Sequence, residues 1–212
     1  MNEAEQLAQF QKARGASPVM RAATDFLCAP DIHAVRIPIM RDIIDLAVQQ
    51  LVDLRQHMQQ DGEERLTSSI IMFLCGMGIQ AQHDPQLGGH IDILVTTRER
   101  FRWVCEAKLY RGPAYLLGGF DQLICRYTDA NPYASEGCLL VYFFQNNAKK
   151  KMDEWRDALK EARPEDKHEP CDKYPLAFFT TLDHPVSGLP YVVRHVFVPL
   201  KFPADRPDAD DD

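Results

Sequence analysis

The sequence contains no apolar run approaching the roughly 18 residues that a bilayer crossing needs. Its opening residues, Met1 to Gly15, carry Glu3, Glu5 and several glutamines. Neither a membrane span nor a secretory leader is expected from this, and the expected location is the cytoplasm. Also missing is any CxxC pair. Cys28, Cys75, Cys105, Cys125, Cys138 and Cys171 are widely spaced and mostly sit in apolar stretches, the pattern of reduced small hydrophobes rather than of disulfides or zinc ligands. His83, His184 and His195 lack metal-ligand spacing, and no internal repeat is present. Positive charge is in short supply too: Lys+Arg 24 against Asp+Glu 31 gives a net charge of -7. That balance argues against a protein that holds nucleic acid by bulk charge. Residues 201–212, with five aspartates against Lys201 and Arg206, account for -3 of it and leave -4 for the other 200 residues.

What is present is the composition of a globule with a core: 212 residues, 45% hydrophobic and 26% charged, enough for one ordinary domain with an appendage. Three helices are expected in the first 60 residues. One lies around Leu7 and Phe10, one follows Ser17-Pro18, and one runs from Pro38 to Gln60 with Met40, Ile43, Ile44, Ala47, Val48, Leu51, Leu54 and Met58 on one face. Asp61-Gly62 breaks the chain. A helix from Glu63 to about Gly78 precedes a meander of three strands, 79–83, 90–97 and 101–109. A helix over 114–128 follows, weakened by Gly118-Gly119. The run Gly137 to Gln145 is too apolar on both faces to be an edge strand. Next come a surface helix over 149–162, a polar loop over 163–173, and two last strands, 176–181 and 191–200. The Asp-rich tail is expected to be disordered. The expected organisation is a helical N-terminal extension (1–60), a core domain (61–200) and an acidic tail (201–212).

Charged residues occupy two of these strands where burial favours apolar ones. Asp92 sits inside HIDILV, and Glu106 and Lys108 inside WVCEAKL. Strand alternation puts Val104, Glu106 and Lys108 on one face and Trp103, Cys105 and Ala107 on the other. Asp92 reaches the first of these faces if its strand pairs with the next as a hairpin. Adjacent buried carboxylates repel unless a cation neutralises them. Carboxylate oxygens, with a strand carbonyl such as that of Ala107, suit magnesium or manganese rather than zinc. Lys108 would then orient the attacking water or stabilise charge in the transition state. An ordinary salt bridge on a strand edge is the alternative for Glu106 and Lys108.

Asp92, then Glu106-Ala107-Lys108 after a spacing of fourteen residues, in a helix-strand-strand-strand-helix-strand order, resembles the PD-(D/E)XK nuclease superfamily, whose core is that αβββαβ arrangement. Ile91 stands where the motif's name has proline. The resemblance spans about residues 63 to 145. It implies a Glu at the start of the first core helix, which is Glu63 by phase with Glu64 as the alternative, and a Gln in the helix after the third strand, which is Gln122, followed by Arg126 and Tyr127. The fold it implies is a mixed α/β restriction-endonuclease-like core, here with an added N-terminal helical segment and a C-terminal strand pair. The activity it implies is Mg2+- or Mn2+-dependent phosphodiester hydrolysis, on DNA rather than RNA, of a restriction or phage-defence type. Asp92, Glu106, the Ala107 carbonyl and Glu63 would hold the metal, Lys108 would orient the nucleophile, and Gln122 would steady Lys108 or the water. A single such site cuts one strand, so a homodimer or a partner-protein complex is expected. His90 is placed near the mouth of the site. Tyr110, Arg111, the hairpin arginines Arg98, Arg100 and Arg102, and Lys149 to Lys151 are candidate phosphate contacts or else solvated turns. Trp103 and Trp155 are expected in the core. The rival readings are a catalytically silent nuclease-like fold that serves as a protein-binding or assembly module, and a small-molecule-binding regulator.

Overall fold

A computed structural model of the chain describes residues 2–84, 91–126 and 130–203. His90, Tyr127, the Arg126 side chain and residues 204–212 lie outside that description. The fold is mixed α/β. Its helices are α1 (Glu3–Ala16), α2 (Pro18–Cys28), α3 (His33–Asp53), α4 (Glu63–Gly76), α5 (Pro113–Arg126) and α6 (Ala148–Ala162). Its strands are β1 (Ala81–Asp84), β2 (Ile91–Thr96), β3 (Arg102–Leu109), β4 (Glu136–Phe143), β5 (Lys167–Pro170), β6 (Ala177–Asp183) and β7 (Pro190–Pro199). No helix among the described residues is long and apolar enough to cross a membrane.

The seven strands form one sheet in the order β1-β2-β3-β4-β7-β6-β5. The β1/β2, β2/β3, β7/β6 and β6/β5 pairs are antiparallel, whereas β3/β4 and β4/β7 are parallel. The last two strands pair with each other as expected, and the pair is built into the one sheet. β7 enters the interior beside β4, and a further strand, β5, lies within the stretch expected as polar loop. β5 is mostly exposed, so it carries none of the apolar pattern that marks an inner strand.

Helices cover both faces. On one, α2, α3 and α4 pack Phe26, Met40, Ile44, Val48, Leu66 and Leu74 against Ile93, Cys105, Leu140 and Val196. On the other, α5 and α6 pack Leu116, Phe120, Leu123, Met152 and Trp155 against Val104, Leu139, Val141 and Phe197. β4 is buried along its whole length, as a strand covered on both faces must be. The expected divide at residue 61 runs through the first of these clusters, because α3 and α4 share one sheet face. All six cysteines are free. Cys105 and Cys138 are buried side by side on β3 and β4, while Cys28, Cys75 and Cys125 are exposed.

The helix expected from Pro38 begins at His33 and ends at Asp53, and Arg55–His57 then forms a 3-10 turn. His33 and Arg36 are buried in its first turn, which is why an apolar count starts too late. The Arg36 guanidinium donates to the carbonyls of Phe26, Ala29 and Pro30, groups that the end of α2 leaves without helical partners.

Arg36 also pairs with Asp31 at 3.1 Å. Asp31 in turn accepts from the Thr97 hydroxyl and from the Arg100 and Phe101 amides, tying the α2–α3 turn to the β2–β3 hairpin. Burial pushes the Asp31 carboxyl up, but these hydrogen bonds and Arg36 outweigh it and hold the group below its ordinary value. Asp31→Ala leaves a guanidinium and two amides without their acceptor, so we expect a loss of about 3 kcal/mol in urea unfolding. The carboxylate's contribution is present above an unfolded pKa of about 3.9 and is lost as pH falls through the lower folded value. Native and variant stabilities should therefore converge in acid.

Candidate functional site

β2 and β3 pair from Thr96↔Arg102 to Ile93↔Cys105 and then part. One further step in that register sets Asp92 opposite Glu106, on the same face of the sheet. Past Cys105, β3 keeps β4 on one side, through Lys108↔Val141 and Leu109↔Tyr142, but has lost β2 on the other. Alternate residues of a strand offer their backbone groups to the same neighbour, so the amides of Ala107 and Leu109 both face the opened edge. Carboxylates take them: Ala107 N donates to Asp92 Oδ2 at 2.8 Å, and Leu109 N donates to Glu63 Oε2 at 2.6 Å. Two acids thus stand in for the missing ladder carbonyls. The Ala107 carbonyl points to the same opened edge as its amide.

Each carboxylate is held in place by its own element. Glu63 opens α4, whose buried face continues through Leu66, Thr67, Ile70 and Leu74; Glu64 is exposed on the other side. The Thr67 hydroxyl donates to the Glu63 carbonyl at 2.8 Å and meets the Tyr142 hydroxyl at 3.1 Å. Asp92 is fixed through its backbone, since His83 Nδ1 lies 2.7 Å from its carbonyl. A carbonyl only accepts, so Nδ1 carries the proton. Glu106 is 1% exposed. Its Oε1 lies 2.5 Å from Lys108 Nζ, and its Oε2 is buried without a partner among the described residues. Lys108 Nζ also lies 3.9 Å from Glu63 Oε1 and 4.0 Å from Asp92 Oδ2. Three carboxylates ring one ammonium.

Helix α5 roofs this cluster at Gly119. A Cβ there would sit 3.1 Å from both Cγ and Cε of Lys108 and 3.6 Å from Cγ of Glu106, so an alanine would press on the Lys108 stem, which would have to give by a few tenths of an ångström. Gly118-Gly119 in an otherwise helical run was the available signal, and Gly119 is the site residue that pattern-reading missed. Gln122, one turn further on, is half-buried, and its side chain makes no hydrogen bond to Glu63, Asp92, Glu106 or Lys108. Trp103 and Trp155 are in the core. Arg98, Arg100 and Arg102 lie at the opposite end of β3, where Arg100 packs over the Tyr133 ring at 5.3 Å.

Burial pushes the Glu106 carboxyl up and the charge of Asp92 adds to it; the Lys108 contact opposes both, leaving Glu106 at about 7. Burial alone would lower Lys108, but the hydrogen bond and charge of Glu106, with Asp92 and Glu63, hold it above its ordinary value. Lys108 is therefore an ammonium at neutral pH. With all three acids ionised, the cluster carries two uncompensated negative charges. Among the described residues no group of three or more His, Cys, Asp and Glu is placed to hold a metal ion, and the Lys108 ammonium lies within 4.0 Å of all three carboxylates. An all-oxygen donor set, a buried carboxylate oxygen without a partner and a charge of this size fit a hard divalent cation such as Mg2+ or Mn2+.

A carboxyl raised to about 7 stabilises the fold in its neutral form. That contribution is complete below the unfolded pKa of about 4.3 and is lost as pH rises through 7. In EDTA, the native protein should lose about 2 kcal/mol of unfolding free energy between pH 5 and pH 8 that Glu106→Gln does not lose. Equal slopes for the two proteins in urea titrations would contradict this.

Comparison of the chain with protein-family models, with curated proteins and with solved structures gave no match in any of the three.

Proposed function

We propose that the chain is a Mg2+- or Mn2+-dependent nuclease of the PD-(D/E)XK type that hydrolyses phosphodiester bonds, with DNA as the preferred substrate. The observation that carries the reading is the buried Glu106 carboxylate, with one oxygen unpartnered, gathered with Asp92 and Glu63 around Lys108 where β2 and β3 separate. The order α4-β1-β2-β3-α5-β4 supports a restriction-endonuclease-like αβββαβ core over residues 63–143, extended by β5, β6 and β7.

Asp92, Glu106 and the Ala107 carbonyl would hold the ion, with Glu63 assisting directly or through water. When bound, the ion would lower the pKa of a coordinated water and offset charge on the phosphate. Lys108, an ammonium wedged among the acids, would donate to a phosphate oxygen rather than act as a base. Gly119 keeps α5 from displacing that ammonium. Gln122 would reach the water or Lys108 only after its side chain turns. The α2 and α3 helices and the turn between them expose Leu27, Ile32 and Val35, which favours contact with a second copy or a partner protein. Such contact is in keeping with a duplex cutter under external control, as in restriction or phage defence.

One observation favours the rival reading of a silent assembly module: Lys108 already neutralises part of the cluster without any ion. Plasmid cleavage separates the two. With Mg2+ or Mn2+ the native protein should nick or linearise supercoiled DNA, EDTA should abolish this, and Asp92→Ala, Glu106→Ala and Lys108→Ala should each cost at least about a hundredfold in rate. Absence of metal-dependent cleavage of DNA and RNA, even with cell extract supplying partners, would leave the assembly module. Gly119→Ala should lower the cleavage rate about tenfold, because small displacements of a reacting group are expensive. Its melting temperature should hold or rise, since alanine favours a helix interior over glycine by about 1 kcal/mol.

A further inference from the structure

Lys149, Lys150 and Lys151 open α6, and the first turn of that helix contains no acid. The N-terminal end of a helix dipole is positive, so three cations there oppose it; α4 by contrast opens with Glu63 and Glu64. Local partners account poorly for this placement. Lys149 pairs with Asp153 and Lys151 with Glu154 along their own helix, at spacings where exposed pairs contribute little. Lys150 is exposed and has no ion pair among the described residues.

The fold brings this cluster to the candidate site. β4 runs parallel to β3 with Leu109 beside Tyr142, so both strands end at the same edge of the sheet, and α6 starts just past the end of β4. Tyr110 is the next residue after Lys108 on the Glu106 face of β3. Its ring rests 5.2 Å from that of Phe143 and 5.9 Å from that of Phe197, and Lys151 and Glu154 are the charged groups acting on its hydroxyl. The line of β3 from Lys108 through Tyr110 thus leads to the sheet edge at which α6 begins. The hairpin arginines offer no such line, because six residues of strand at ~3.3 Å each put Arg102 about 20 Å from Lys108.

We propose that Lys149, Lys150 and Lys151, with Tyr110 between them and Lys108, form a subsite for a nucleic-acid backbone phosphodiester flanking the one that is cut. The inference rests on the nuclease reading and adds to it the direction in which the substrate leaves the site. Duplex DNA and RNA share this chemistry, so both serve as probes.

The test measures the Kd of fluorescent DNA and RNA duplexes by anisotropy, with Ca2+ replacing Mg2+, and KM in the cleavage assay. For Lys149→Ala/Lys150→Ala/Lys151→Ala, Kd or KM should rise roughly tenfold or more, and the slope of log affinity against log salt should shrink by about 2 to 3, at ~0.9 for each phosphate no longer neutralised. Arg98→Ala should change neither. Lys150→Glu should weaken binding while raising the melting temperature, a pairing that a folding defect does not produce. Loss on one polymer only supports the subsite and identifies the substrate. A native protein that cuts nucleic acid, with a triple variant of unchanged Kd, KM and salt slope, overturns the subsite alone. A native protein that neither binds nor cuts either polymer overturns the nuclease reading and the subsite with it.

Discussion

The early end of the β2/β3 ladder is the constraint on which the candidate site depends. An inner strand that loses a neighbour exposes amides that must be satisfied, and here the groups that satisfy them are the Asp92 and Glu63 side chains. Backbone need thus fixes two carboxylates from two different elements beside Glu106. Had the ladder continued along β3, the Ala107 and Leu109 amides would find strand carbonyls, and neither Asp92 nor Glu63 would be drawn to them. The site is therefore a by-product of strand divergence, and Asp92 and Glu63 satisfy the backbone of β3 in forming it.

The helix layers make that arrangement durable. α5 comes down on β3 at Gly119, against the stems of Lys108 and Glu106, and α4 is held against β4 through Thr67 and Tyr142. Asp92 is secured by His83 and the Ala107 amide. Burial then does to Glu106 what water would not. It raises the carboxyl to about 7 even with a lysine in contact, the charge of Asp92 adding to the effect.

What could be read from the chain follows from the range of the interactions involved. The strand period of two and the helix period of about 3.6 are both local, so the shared face of Glu106 and Lys108 and the phase of Glu63 in its helix were legible. The apolar continuity of β4 was legible for the same reason. Pro38 misled because the true first turn of α3 buries His33 and Arg36, polar residues whose partners are the carbonyls of another helix. β5 escaped notice because an exposed edge strand needs no apolar pattern. Gly119 read as a weak point in a helix, and its reason for being there is a contact with a strand ten residues earlier. Asp31 gave no signal at all, since its partners Thr97, Arg100 and Phe101 are far away in the chain.

The interior place of β7 bears on how the chain is made. β4, apolar on both faces, must wait beside β3 with one edge open while α6, β5 and β6 are synthesised, an interval of several seconds at ~5–20 residues per second. During that time the nascent protein presents an unpaired, water-averse strand edge of the kind that seeds misassembly. The sheet closes only when residues 190–199 slot in between β4 and β6. Until then Leu200 cannot cap the end of β4 through the Phe143 carbonyl, and the edge that carries Lys108 and the α6 lysines is unfinished. This end of the sheet is thereby completed only after residues 190–200 have been made.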